Sequence, residues 1–407
     1  MLNGNAIVGQ SGGPTTAINA TLSGVIKGAY QCEFIDKIYG MFNGINGLLD
    51  ESLCLINNIL ENESDFNILE NTPAAALGSC RKKLPEFEKD NDIYVKIFNI
   101  LEKYNIKYFF YIGGNDSMDT VVKLSEYAKN NNYEIYIIGV PKTIDNDLPV
   151  IDHTPGYGSA AKYIAASMQE IIRDCNVYFV KSVTIVEIMG RDAGWLTAAA
   201  ALPRIICDVS PDLVYLPEKP FDTVQFLTDV NDALTRNPNV VVAVSEGVRD
   251  SEGNYLGAAG YKGVDVFGHV NLSGAGKYLE MLLHDKIGCK VRSVELNVLQ
   301  RCAAHIASKT DIDESVRIGM AAVEAACNGL TGVMMIYKRV SDEPYTIEID
   351  KVDIKLIANL VKRVPDEFIT ADNNNVTDEC LNYIKPLING EVNPPYKDGL
   401  PVHITLK

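Results

Sequence analysis

"YEIYIIGVPKTIDND", Tyr133–Asp147, runs apolar to Val140 and then packs a lysine and two aspartates into six residues. The run Ile135–Val140 does not alternate, so it reads as a strand covered on both faces, the mark of a parallel sheet. Two acids this close repel one another. A plain Asx turn would explain one of them. The alternative is a site in which one carboxylate takes a proton while its neighbours hold a cation or an anionic ligand.

Four further runs share this character: "NAIVG" from Asn5, "KYFFYIGG" from Lys107, "SVTIVEIMG" from Ser182 and "NVVVAVSEG" from Asn239. Between them lie stretches of helical period. "GSAAKYIAASMQEIIRD" puts Ile164, Met168, Ile171 and Ile172 on one face, and "TVVKLSEYAKNN" does the same with Val121, Leu124 and Tyr127. Strands alternating with helices imply an α/β protein with doubly wound, mainly parallel sheets. The most loop-like stretches are "RDSEGNYLGAAGYKG" and "TADNNNVTDE".

All five runs end in polar turns: "GQSGGPTTA", "GGNDSMDT", "PKTIDND", "MGRDAGW" and "SEGVR". Ligands of open parallel sheets bind beyond the carboxyl ends of the strands, so these loops are expected to converge on one crevice. Turn chemistry alone explains one such loop well and five poorly.

A chain of 407 residues exceeds one ordinary core, and two domains are expected. With 47% hydrophobic and 22% charged residues it has the balance of a soluble globular protein. No apolar run nears the roughly 20 residues that span a bilayer. "MLNGNAIVGQSGG" lacks a basic n-region, so no signal peptide is expected. A net charge of −16 argues against nucleic acid or an acidic membrane as partner, but leaves small anions open. The nine cysteines form no CxxC pair, which suggests reduced, mostly buried thiols in a cytoplasmic protein. The five histidines show no zinc spacing.

"GQSGGPTTAIN" reads as a glycine loop opening a helix at about Pro14, where backbone N–H groups suit a phosphate oxygen. GxxxxGK[ST] is absent, and "SGAGKY" does not supply it. "GYGSAA" matches GxGxxA, but the "VIDHTP" before it is a poor strand, which disfavours a dinucleotide site. Acids beside glycine loops, as in "GGNDS" and "TIDND", suit Mg²⁺ and phosphoryl transfer. Arg81, Arg191, Arg292 and Arg301 could clamp phosphate oxygens, although any one of them taken alone more often forms a surface ion pair.

Taken in order, "SGGPT", "LGSCR", "GGNDS", "PKTIDND", "MGRDAGW" and "SEG" resemble the 6-phosphofructokinase family from about Gly9 to Arg301. The resemblance implies two doubly wound domains with the active site in the crevice between them. The implied partition is 1–156 plus about 300–345 for the donor domain, and 157–299 plus about 346–407 for the sugar-phosphate domain. It makes Asp145 the general base for the sugar's 1-hydroxyl, with Asp147 supporting both the base and the metal, and puts Gly13 and Arg81 on the phosphoryl donor. Thr143, Ile144, Met189, Gly190, Arg191 and Glu246 would hold fructose 6-phosphate, with Arg292 and Arg301 on its 6-phosphate. Mg²⁺ is the implied cofactor and a homodimer or homotetramer the implied assembly. Two positions depart from the family pattern. Asn115 stands where a metal-binding Asp is usual, leaving Asn115 and Asp116 as the metal candidates. Ser182, beside Lys181, stands where an arginine usually crosses a subunit boundary.

Asp116 and Lys142 replace two glycines of the ATP-using members and resemble the pyrophosphate-dependent branch. A carboxylate in the space of ATP's α-phosphate would repel it by about 4 kcal/mol at about 4 Å and a dielectric near 20. Lys142 would add positive charge for a shorter donor, unless the two residues merely pair with each other. The competing readings are an ATP-dependent enzyme, a silent regulatory subunit, which should have lost Asp145, and a noncatalytic nucleotide-binding module.

Overall fold

The computed structural model describes residues 2–60, 62–257, 274–357 and 360–406. Residues 258–263 of the loop-like stretch that begins at Arg249 lie outside the described residues, as does residue 273 of "SGAGKY". Beside a short ladder near the C-terminus, eleven strands form two sheets: β1 (Gly4–Gln10), β2 (Ile35–Met41), β3 (Leu53–Leu55), β4 (Ile106–Gly113), β5 (Tyr136–Pro141), β6 (Ser182–Ile188), β7 (Leu213–Tyr215), β8 (Asn239–Ser245), β9 (Lys290–Glu295), β10 (Val333–Asp342) and β11 (Tyr345–Asp353).

The first sheet has seven strands in the order β11-β10-β5-β4-β1-β2-β3, parallel from β10 through to β2 and closed at each edge by an antiparallel strand. The second has four, β7-β8-β6-β9, all parallel. The five runs expected to be strands are β1, β4, β5, β6 and β8. Neighbouring residues of the second sheet face different cores. Ile185 and Val242 join Phe226 and Leu279 on one side, while Val186 and Val241 join Ile164, Met168 and Leu196 on the other. Burial on both faces is why these strands read as unbroken apolar runs.

The expected return to the second domain near residue 346 falls inside a strand pair. β11 lies antiparallel on β10, with Asp342 opposite Tyr345 and Val333 opposite Asp353. Ile347, Ile354 and Ile357 belong to the core of the first sheet, and Leu406 returns to it. Val364, Val376, Leu381 and Leu387 belong to the second core, so the chain passes between the domains at about 357–364.

The Ile18–Gln31 helix lies against the Lys309–Cys327 helix at close range. A Cβ on Gly24 would stand 2.0 Å from the Val316 carbonyl oxygen, and one on Gly319 would stand 2.3 Å from that of Thr21. The far ends of these helices are joined by a Cys32–Cys327 disulfide, contrary to the expectation of reduced thiols throughout. Packing brings together two cysteines 295 residues apart, which spacing in the sequence does not reveal. Of the seven free cysteines, only Cys80 and Cys380 are fully buried, fewer than expected. Among the described residues no helix is long and apolar enough to cross a membrane.

Candidate active site

The turn after β1 is narrow because two other groups crowd it. Gly12 has φ +80°, and a Cβ there would lie 3.0 Å from the Lys142 ammonium. A Cβ on Gly13 would lie 3.6 Å from the Arg301 guanidinium. The "LGSCR" loop is fixed on this turn, since Gly12 N–H donates to Cys80 O (3.1 Å) and the Ser79 hydroxyl donates to Gly12 O (2.6 Å). That brings Arg81 alongside. The helix after the turn begins at Ile18 instead of Pro14, so Pro14–Ala17 continue the loop.

β5 ends at Pro141, and Lys142 follows it inward, 3% exposed, with its N–H on Gly113 O at 2.9 Å. The Thr143 hydroxyl accepts the Asp145 N–H at 3.1 Å and also hydrogen-bonds to the Asp147 carboxylate. Ile144 points into the core of the second sheet, anchoring the turn between the two domains. Asn146 takes the left-handed conformation, φ +53°, so Asp145 and Asp147 flank a sharp bend.

Burial pushes the Lys142 ammonium down to about 8, and Arg81 and Arg301 add to this, although Asp145 and Asp147 act the other way. Burial, then Asp147 and Glu246, push the Asp145 carboxyl up to about 7, against Lys142 and Arg191. Burial also raises Asp147. Both aspartates keep part of their surface in contact with solvent, while their carboxyl groups are closely surrounded by protein. At about 7 the Asp145 carboxyl titrates near neutrality, where a proton acceptor is most effective.

The second sheet supplies the opposite wall. Met189 N–H donates to Gln300 Oε1 and Gly190 N–H to Glu246 Oε1, each at 3.3 Å. Gly190 has φ +133°, and a Cβ there would stand 2.6 Å from Ala193 O, so the "MGR" turn requires glycine. Burial pushes Glu246 up to about 7 against the opposing effects of the Gly190 N–H, Arg191 and Arg301. One cluster therefore holds the cations Lys142, Arg81, Arg191 and Arg301 with the carboxylates Asp145, Asp147 and Glu246. It can receive phosphate groups and remove a proton beside them.

Three sequence candidates stand differently. Arg292 is half exposed on β9, with Asp174 at 3.9 Å, and is not part of the cluster. Asn115 opens the Asn115–Asn130 helix, and its side-chain amide donates to Leu360 O at 2.7 Å. Asp116 does not pair with Lys142. It forms a 3.0 Å ion pair with Lys83, so a cation stands beside the charge expected to repel a long donor. Among the described residues, no group of three or more His, Cys, Asp or Glu is arranged to hold a metal ion. The Asp147 carboxylate, crowded beside Asp145, also suits a divalent cation, which takes one or two protein oxygens and completes its shell with phosphate and water.

Lys83, Gln300 and Lys362 went unnoticed in the sequence. Lys83 lies two residues beyond the "LGSCR" motif, and Gln300 is adjacent to Arg301. Lys362, which donates its N–H to Asp147 O at 2.7 Å, stands in "NLVKRVP" with no motif to mark it.

Residues 5–326 match the family model described as Phosphofructokinase. The chain is 41% identical, over 100% of its length and 97% of the relative's, to the pyrophosphate–fructose 6-phosphate 1-phosphotransferase of Xanthomonas campestris pv. campestris. It is 39% identical to the protein of the same name from Methylococcus capsulatus, covering 99% and 96% of the two chains. The crystal structure of a pyrophosphate-dependent phosphofructokinase from Nitrosospira multiformis superposes with a TM-score of 0.88 at 37% identity, covering 99% of this chain and 96% of that one. With the motif loops gathered at one crevice and these similarities over nearly its whole length, the chain belongs to the phosphofructokinase family.

Proposed function

We propose that this protein is a phosphotransferase that moves a phosphoryl group reversibly from pyrophosphate to the 1-hydroxyl of fructose 6-phosphate. The products are fructose 1,6-bisphosphate and phosphate. The observation that carries the donor choice is the buried Lys142 ammonium, which lies 3.0 Å from where a Cβ on Gly12 would stand. A short, highly charged donor gains from that cation, whereas a nucleotide would have to displace it.

In this reading the Gly12–Gly13 turn, Arg81 and Lys142 hold pyrophosphate. Arg191, Glu246, Met189, Gly190 and Arg301 hold the sugar phosphate, and Thr143 and Ile144 fix the turn between them. Asp145 takes the proton of the 1-hydroxyl as oxygen attacks phosphorus and returns it in the reverse direction. Lys142 and Arg81 stabilise the charge that spreads over the transferring oxygens. Mg²⁺, held by Asp147 and the donor, would neutralise phosphate charge.

The cytoplasm is the proposed location, and the net charge of −16 is in keeping with neither nucleic acid nor membrane being a partner. A homodimer or homotetramer is supported by the exposed run Val177–Val180, in which Phe179 is 94% exposed, close in the chain to the Asp174 that Arg292 approaches. Light scattering should give a multiple of 44.6 kDa, and a single-chain mass would count against assembly.

The functional test supplies fructose 6-phosphate and Mg²⁺ with either pyrophosphate or ATP at equal concentration. Turnover is expected with pyrophosphate. Preference for ATP would reverse the donor assignment, and no turnover with either would remove the transferase reading.

A further inference from the structure

The stretch Leu360–Val364, where the chain enters the second domain, touches three loops of the site. Leu360 O accepts the Asn115 amide (2.7 Å), Lys362 N–H donates to Asp147 O (2.7 Å), and Lys362 O accepts the Trp195 indole N–H (3.1 Å). Val364 N–H then donates to Glu218 Oε1 (2.9 Å), which also takes the Gly194 N–H (2.8 Å). At the centre, Lys362 Nζ donates to Asn146 Oδ1 (3.1 Å), Ile151 O (3.1 Å) and Asp152 O (2.6 Å) and lies 5.3 Å from the centre of the Trp195 ring. All three hydrogen-bond acceptors are neutral oxygens of the turn, and the Asp152 and Asp147 carboxylates act on the ammonium without a hydrogen bond to it.

That turn needs holding. Asn146 has φ +53° and Val150 φ +68°, and a β-branched residue seldom adopts the left-handed region. The bent segment starts at the Asp145–Asp147 pair and ends at Asp152, and the three donors of one ammonium meet three oxygens along it. The ammonium lies on the side of the turn that carries Asn146 Oδ1, and it makes no hydrogen bond with either carboxylate.

We propose that Lys362 is a positioning residue for the Asp145–Asp147 pair, acting through Asn146 and the backbone of the turn. The inference rests on the transferase reading above. Removing the ammonium frees three oxygens, relaxes the bend and moves the base away from the attacking hydroxyl. Loss of reactive geometry lowers kcat, whereas the sugar-phosphate contacts on the second sheet stay in place. A residue that merely supported the fold would show no such split.

Trp195 is the only tryptophan in the chain, so its emission can report fructose 6-phosphate binding without turnover. The experiment measures kcat with pyrophosphate, and the Kd for fructose 6-phosphate from Trp195 emission, in the wild type and in Lys362→Met, Lys362→Gln and Lys362→Arg. Thermal unfolding checks each variant. Lys362→Met should lower kcat at least about tenfold with Kd within about threefold of wild type, and Lys362→Arg should recover part of the loss. If Lys362→Met does not fold, Lys362→Gln, which keeps a donor without the charge, should show the same split. A folded Met or Gln variant with wild-type kcat, or with kcat and affinity lost together, would overturn the assignment. An inactive wild type would instead remove the reading on which it rests.

Discussion

Asp145 is the residue on which the proposed chemistry turns. Its carboxyl, pushed up to about 7 by burial and then by Asp147 and Glu246, must be ionised to accept a proton. Activity in the direction of fructose 1,6-bisphosphate should therefore fall as the pH drops through about 7, where the raised carboxyl becomes protonated. Asp145→Asn should fold normally and lose at least about 10²-fold in kcat at every pH, with little change in KM for the sugar. A pH–rate profile of both proteins checks this, and near-wild-type turnover in the variant would refute the base assignment. The "TIDND" pair was readable in the sequence because acids at a strand end are chemically odd. The ion pair of Asp116 was not, because Lys83 belongs to a different loop and only folding brings the two side chains to 3.0 Å.

At the scale of elements, the turn after β5 is continued by a buried relay. His153 Nδ1 meets Asp152 at 2.8 Å and its Nε2 meets Glu314, on the Lys309–Cys327 helix, at 2.7 Å. Burial alone would lower the imidazole, but hydrogen bonds to Asp152 and Glu314 outweigh it and the pKa is raised above 6.5. The folded state therefore binds the proton more tightly than the unfolded chain does. Its contribution to stability is complete below the unfolded value of about 6.5 and is lost as pH rises through the folded value. Thermal melts across that range should show wild type losing stability relative to His153→Gln as pH rises, and parallel curves would contradict the relay. Parallel strands such as β4 and β8 were legible as apolar runs, since both faces are covered. β9 and β11 were not, because exposed and half-buried residues are interspersed along them and only Ile347 is buried. The antiparallel return of β11 onto β10, which moved the domain boundary, depends on pairing that no single segment announces.

At the scale of the whole molecule, the family motifs located the crevice, while packing decides what fills it. Two positions were expected to select the donor, yet they stand in different surroundings. Asp116 is balanced by Lys83 on a half-exposed helix end, whereas Lys142 is enclosed between the Gly12 turn and the aspartate pair. The choice of donor is accordingly assigned chiefly to Lys142, with Asp116 secondary. The most direct measurement is kcat/KM for pyrophosphate and for ATP, each with fructose 6-phosphate, in the wild type, Lys142→Gly and Asp116→Gly. Wild type should prefer pyrophosphate, and Lys142→Gly should lose at least about 10²-fold with that donor while its relative use of ATP rises, because a cation on the transferring phosphoryl group is removed and space is opened. Asp116→Gly should shift the ratio less. A wild type that prefers ATP, or a Lys142→Gly variant whose donor ratio is unchanged, would contradict the account.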